Sequence, residues 1–418
     1  MMCALATPPA LAQESVLDGL RTAAKSKPAD PEAALSLGRA LRRAGHFVDA
    51  LSWLGRGAAV APPNSDVLRR LRWEIARTQI DAHDLPHAMM ACKKLGDMKG
   101  QQAAGHACTS AAYLIWQRAT EALAETALAL EKEPSNYEAR VAEGRAYELS
   151  LEPKEAEASY RAAAAAPESA DAVLHLGRLL LHQDRRDEGL ADLRAAVLAD
   201  PDGPEGLYEL GMALAPTAES IGLLDRATRE RPTFPEAWLA LGQEQLAAGA
   251  VDRAGDAAAH AVKQDPGSIA AIVLTGRVAL AEGHADDALA AGKAATKIVA
   301  NNAAAVLLVA DSYARKGDVD SAVEAYQAAW GFDHRDPSPL VRASEICHGV
   351  ARDTTARAFG GKAVEEFPNF APAWVVLGDA LAGQKETAAA RDAYRKALSV
   401  GDGVIDRAAV QAKLSALQ

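Results

Sequence analysis

The sequence predicts an all-α chain on three observations. Hydrophobic residues make up 49% of it and aromatics only 5%, so the apolar mass is mostly Ala and Leu, which favour helices over strands. No stretch alternates Val, Ile, Thr or Tyr over a strand length. Glycines and prolines recur in phase along the chain, a pattern that points to stacked helical pairs and not to one compact core. With 418 residues, either two or three globular domains or one repeat array would accommodate the length.

The chain opens on residues 1–12, MMCALATPPALA. They are uncharged, and Ala10-Leu11-Ala12 before Gln13 has the small-x-small form of a signal-peptidase site. A basic leading region is missing and the apolar stretch is short, so these residues read as the remnant of a signal peptide, or as a chance match. Cys3 follows no lipobox-like run. Residues 13–30 then read as an N-terminal capping helix, with Glu14 to Lys27 as its body.

The repeat is clearest from Pro235 to Pro266. Counting Pro235 as position 1 puts Trp238 at 4, Leu241 at 7, Gly242 at 8, Gly249 at 15, Ala254 at 20, Ala258 at 24, Ala261 at 27 and Pro266 at 32. This resembles the tetratricopeptide signature, W-x2-L-G followed by Ala, Ala and Pro at fixed offsets. Position 8 recurs as Gly38, Gly144, Gly177, Gly211, Gly276 and Gly378; position 32 recurs as Pro62, Pro134, Pro201, Pro232 and Pro368. From Pro266 to Pro368 is 102 residues, and from Gly276 to Gly378 is again 102, three periods of 34. Small residues at 8 and 20 let the two helices of a hairpin cross closely. Larger apolar residues at 4, 7, 11 and 24 fill the space between hairpins, and proline at 32 stops the second helix.

The resemblance implies a right-handed α-solenoid, a superhelix of stacked helix-turn-helix hairpins. An array of about eleven repeats would occupy residues 31–402, with units starting near Pro31, Arg69, Ala103, Tyr137, Ala170, Pro204, Pro235, Ile269, Ala303, Pro337 and Ala371. Units 2, 6 and 10 are irregular. Unit 6 is short around Ala215-Pro216-Thr217, unit 10 has Ser344 at position 8 and Gly360 at 24, and unit 2 matches least well. Its second helix should start near Pro86 and include Ala88, Cys92 and Leu95. Residues 403–418 read as a C-terminal capping helix with Val404, Ala408, Leu414 and Leu417 as its apolar positions, since repeat arrays need polar-faced ends.

Charge and motifs narrow the function. A net charge of −11 disfavours nucleic-acid binding, which relies on neutralising phosphates. No apolar run reaches the roughly eighteen residues of a membrane span. The sequence lacks G-x-S-x-G, H-E-x-x-H, C-x-x-C and the phosphate-binding loop, so a non-catalytic chain without cofactor or metal is expected. His83 and His87 are four apart, but Asp84-Leu85-Pro86 between them predicts a turn, and a solvated loop is favoured over a metal site.

Cys92 and Cys108 each lie eight residues from Gly100, the centre of the connection between units 2 and 3. Antiparallel neighbours put such positions at one level, so a disulfide is feasible if the chain is exported; in a reducing compartment they would be two buried thiols. Cys347, at position 11 of unit 10, reads as core.

In the tetratricopeptide family the first helix of each hairpin, helix A, lines the concave face, with positions 2, 5, 9 and 12 inward. Carried to this chain, position 9 is Arg39, Arg77, Arg145 and Arg178 in the first five units, Arg277 in unit 8, and Asp311, Glu345 and Asp379 in the last three; Arg42 and Arg43 add to the first group. This split predicts a concave groove basic toward the N-terminus and acidic toward the C-terminus, matching a partner segment of opposite polarity, although solvated charges without a partner would give the same pattern. The family's Lys and Asn clamp for carboxylates is not matched, because no unit has Asn at position 9. The resemblance implies a scaffold for a protein or peptide partner. It is expected in the periplasm, supporting assembly of an envelope complex for pili, secretion or polysaccharide export. The alternatives are a cytoplasmic adaptor or a subunit of an enzyme.

Overall fold

The computed structural model describes the backbone of residues 9–166, 169–401 and 403–417, with side chains from residue 16 onward. Most of the expected leader, including Cys3, lies outside the described residues. The regular elements among them are 24 helices. The chain forms two compact units, one up to Glu244 and one from Gln245, with the boundary inside the helix Pro235–Ala247.

The first unit opens with the capping helix Pro9–Ser26, which begins ahead of residue 13 and so runs through Ala10-Leu11-Ala12. Hairpins 1 to 3 pair Pro31–Arg43 with Phe47–Val60, Asp66–Asp81 with Leu85–Gly96, and Gln102–Ile115 with Ala119–Lys132. Hairpins 4 to 6 pair Tyr137–Leu149 with Pro153–Ala164, Ala170–His182 with Arg186–Ala199, and Pro204–Leu214 with Ala218–Glu230. After Pro235–Ala247 and Val251–Gln264 come hairpins 8 and 9, Ile269–Glu282 with Ala285–Ile298 and Ala303–Arg315 with Val319–Phe332. Hairpins 10 and 11 are Ser338–Gly349 with Asp353–Glu366 and Ala371–Gly383 with Thr387–Ser399, followed by the closing helix Arg407–Ala416.

Local chemistry sets these boundaries. Asp30, Ser65, Asn136, Ser268 and Asn302 each precede a helix A and accept a hydrogen bond from an amide of its first turn. At the other end, position 15 takes the left-handed conformation that reverses the chain into the second helix, helix B. It is Gly45, His83, Gln117, Leu151 and Asp184 in the first unit, and Gly249, Gly283, Gly317, Ala351 and Lys385 in the second. Glycine adopts this conformation without cost, and the other residues pay for their Cβ. His83 is therefore a turn residue, and His87 Nδ1 lies 2.8 Å from Asp84 Oδ2. Hairpin 6 has a shorter turn, with Thr217 capping helix B through Ser220 N at 3.0 Å.

Close crossing at position 8 shapes each hairpin. A Cβ on Gly38 would lie 2.4 Å from Leu54 Cγ, and one on Gly144 the same distance from the Tyr160 ring, both partners being at position 24. Where serine replaces glycine, its hydroxyl is used. Ser110 Oγ donates to Ala122 O at 2.9 Å and Ser344 Oγ to Ala356 O at 2.8 Å, both carbonyls being at position 20. Gly360 of hairpin 10 takes a different role, since a Cβ there would press on the backbone of Leu377 at 3.0 Å.

Hairpins 2 and 3 meet almost backbone to backbone. A Cβ on Gly105 would lie 2.5 Å from Gly96 Cα. Beside this crossing Cys92 and Cys108 form a disulfide, with Cα atoms 5.3 Å apart, the separation such a bond needs. Cys347 is a buried thiol inside the cluster of hairpins 9 to 11. The closing helix corrects one expectation: Val404 lies before it and is 97% exposed, whereas Val410 is its buried residue. Ala408 is also exposed, and Leu414 and Leu417 pack against the last hairpin.

Candidate concave binding surface

In the first unit the arginines expected to form a basic groove meet carboxylates on neighbouring helices A. Arg39 Nε donates to Glu74 Oε1 at 2.9 Å. Arg42 Nε donates to Glu74 Oε2 at 3.1 Å, and its Nη1 to Asp81 Oδ2 at 2.7 Å. Burial would raise the Glu74 carboxyl, but Arg42, Arg77 and Arg39 hold it below its ordinary value. Arg178 Nη2 reaches Glu148 Oε2 at 3.1 Å and its Nη1 lies 3.9 Å from Glu209. Burial raises the Glu209 carboxyl, with Arg178 opposing. Arg43 instead points from the turn of hairpin 1 to Asp200, 3.2 Å away.

Arg77 and Arg145 differ from these. Among the described residues neither makes an ion pair or side-chain hydrogen bond, and both act on Asp171 of hairpin 5, as Arg42 does from hairpin 1. Surrounding protein would raise the Asp171 carboxyl; the guanidiniums of Arg77, Arg145 and Arg42 bring it below its ordinary value. Asp171 still reaches solvent and accepts no hydrogen bond among the described residues. One turn along, His175 stacks on Tyr160 at 5.4 Å. Its buried Nδ1 has no partner among the described residues, and burial keeps the ring neutral, its pKa well below the usual range. Tyr137 Oη accepts from Ala172 N at 3.1 Å beside this group. Charged and polar groups from hairpins 1, 2, 4 and 5 thus converge, several with unused hydrogen-bonding capacity, the property of a surface that can take a polar ligand.

The second unit reverses the sign. Asp311 pairs with Arg342 and accepts from Tyr326 Oη at 2.8 Å. Asp379 accepts from Tyr394 Oη at 2.6 Å and from Lys413 Nζ at 2.7 Å. Each tyrosine stands at position 24 of the hairpin that carries its acid, and burial and the adjoining carboxylate hold both hydroxyls protonated. Glu345 keeps access to solvent, and partial desolvation by the surrounding protein raises its carboxyl above the usual value. Arg277 is exposed.

A reading of position 9 alone misses the counter-charges. Glu74, Glu209 and Arg342 stand at position 6 of the following unit, Glu148 at 12, Asp171 at 2 and Asp81 at 13. Tabulating 2, 6 and 12 in the same register would have found most of them.

Models of the tetratricopeptide repeat match residues 11–66, 151–204, 174–215, 217–269, 273–337 and 355–404, more than half of the chain. The chain belongs to the tetratricopeptide repeat family. It is a scaffold of the protein-interaction type; members of this family are generally non-catalytic scaffolds. No curated protein matches it in sequence. Among solved structures it is similar to yeast Tom70 (13% identity, 93% of this chain and 95% of that one, TM-score 0.48). Another is Pseudomonas aeruginosa pilF (20% identity, 49% and 94%, TM-score 0.45). A third is the APC/C hetero-tetramer Cut9–Hcn1 (18% identity, 98% and 86%, TM-score 0.43).

Proposed function

We propose that this tetratricopeptide protein is a non-catalytic adaptor that holds a charged, extended segment of a partner protein on the concave face of residues 31–244. The observation that carries this reading is the uncommitted set Arg77, Arg145 and Asp171. Two free guanidiniums suit a carboxylate of the partner, and Asp171 suits an amide or cation next to it. The paired residues Arg39, Arg42 and Arg178 tie neighbouring helices A to one another.

The adaptor works in the cell envelope, where it supports assembly of a larger complex. Ala10-Leu11-Ala12 and the Cys92–Cys108 disulfide support that location, because such bonds persist in oxidising compartments.

In-cell crosslinking followed by affinity capture tests both parts. Arg77→Glu with Arg145→Glu should abolish capture of the main partner, while Arg335→Glu, at a side chain 92% exposed, should leave it intact. Equal capture by both variants would remove the concave face from the account. Mass spectrometry of the mature N-terminus tests the location, cleavage after Ala12 being the expected result.

A further inference from the structure

Consecutive hairpins of the first unit share apolar packing. Leu35 and Leu54 meet Leu71, Leu95 meets Cys108, Ala129 meets Ala139, Val141 meets Ala172, and Leu193 meets Leu207. One more junction joins residues far apart in sequence and is built differently. The turn of hairpin 1 touches the turns that follow hairpins 5 and 6. Arg231 Nε donates to Arg43 O at 3.0 Å, Thr233 Oγ1 to Ala44 O at 3.4 Å, and Arg43 lies 3.2 Å from Asp200. The capping helix also touches Ala218–Glu230. Among the described residues, the apolar clusters on the two sides, around Leu37 and Leu41 and around Leu207 and Leu223, are separate.

This seam closes the curve of hairpins on itself. Its bonds at the turns are polar. Arg231 sits at the negative end of the helix Pro31–Arg43, where a cation is favoured. The Arg43–Asp200 pair is 47% and 39% exposed, so it contributes little and is screened by salt. Breaking the seam exchanges these polar contacts for water and parts the capping helix from Ala218–Glu230, while every sequential junction would have to expose a buried apolar cluster. The opening of least cost is therefore here.

We propose that the seam is a gate: hairpin 1 swings off the turns at Asp200 and Thr233, and the concave face then admits a partner segment to Arg77, Arg145 and Asp171. The consequence for binding rests on the function proposed above; the motion does not.

The fold supplies a wedge and its control. A Cβ on Gly45 would lie 1.7 Å from Thr233 Oγ1, whereas one on Gly283, at the same position of hairpin 8 with the same left-handed backbone, meets nothing within 4 Å. Spin labels at Val48→Cys and Asp202→Cys span the seam, in a background with Cys3→Ser and Cys347→Ser that keeps the disulfide. Dipolar spectroscopy should show one short distance in low salt and a growing longer population as salt rises from about 0.05 to about 1 M. Gly45→Ala should shift the population to the longer distance in low salt, and Gly283→Ala should not.

A single unchanged distance in the labelled protein at every salt concentration, and in Gly45→Ala, would overturn the gate. If Gly45→Ala does not fold, the salt series decides alone. A fluorescein-labelled hexaglutamate peptide serves as the probe of consequence: Gly45→Ala should bind it several-fold more tightly than the parent at equal low salt. Opening without any gain in peptide binding would leave the motion standing and overturn admission through it. Loss of peptide binding from Arg77→Glu with Arg145→Glu tests the concave surface independently of the seam.

Discussion

The charge ladders of residues 31–244 and 245–418 use the same geometry with opposite charge. In the first, an arginine at position 9 meets a glutamate at position 6 of the next hairpin, as in Arg39–Glu74 and Arg178–Glu209. In the second, Asp311 at position 9 meets Arg342 at position 6. The tyrosine at position 24 shows what the reversal requires. Tyr326 and Tyr394 donate directly to the acid at position 9. With Arg145 at that position, Tyr160 donates instead to Glu148 at position 12, at 2.6 Å. Reversing the charge moves the acceptor one helical turn, because a guanidinium has no lone pair to offer a buried hydroxyl. The sign split along position 9 is thus balanced locally, and the charges left over are few and identifiable.

Burial separates the two ladders, and substitutions can measure by how much. The largest effect is expected at Glu74, which is 4% exposed. Glu74→Gln leaves the buried Arg42 charge with Asp81 alone and should cost about 3 kcal/mol in urea denaturation. Asp311→Asn, facing an Arg342 that is 42% exposed, should cost only about 1 kcal/mol. The Glu74 carboxyl is held below its ordinary value in the fold. Its contribution is therefore complete at neutral pH and fades as pH falls through the folded value. The gap between parent and Glu74→Gln should narrow in acid; a gap independent of pH would remove the ionic explanation.

Next in size are the tyrosines. Tyr160→Phe and Tyr326→Phe each lose a hydrogen bond to a carboxylate, and each should cost about 2 kcal/mol by the same measurement. Equal costs would show that moving the acceptor from position 9 to 12 preserves the bond; a much smaller cost for Tyr160 would show that it does not. Smaller still is the turn. Leu151 holds a φ of 60° while 87% exposed, so Leu151→Gly should stabilise by about 1 kcal/mol. Gly283→Ala should destabilise by a similar amount. The smallest effect falls on Glu345, whose carboxyl is raised by burial. Its raised value favours the fold in acid and is lost as pH rises through it, so Glu345→Gln should be neutral or slightly stabilising at pH 7, opposite in sign to Glu74→Gln.

Much of the fold was legible because its determinants are local. Caps such as Asp30 and Asn136, the small residue at position 8 and the proline at 32 act within a few residues of where they stand. Helix A accordingly begins at Pro31, Tyr137 and Ala371, as the register places it, and shifts at Asp66 and Gln102, where hairpin 2 departs from the pattern. The closing helix was less legible: Val404 fits an apolar period, but nothing near it in sequence says whether a neighbour will cover it. The candidate surface was legible only in part. Arg77 and Arg145 stand out at position 9, yet their freedom, and the engagement of Arg39 and Arg178, depend on which residue the next hairpin presents.

The sequence by itself determined the repeat, its register and the kind of residue at each crossing, because each of these is decided within one period of 34 residues. Tertiary structure alone decided three other things: that Asp171 gathers arginines from hairpins 1, 2 and 4, that Cys92 and Cys108 come within bonding distance, and that Arg43 and Ala44 meet Asp200, Arg231 and Thr233. The physical reason is accumulation. Each hairpin turns a little on the one before, and only the sum of those rotations over six hairpins brings the first turn back to the last.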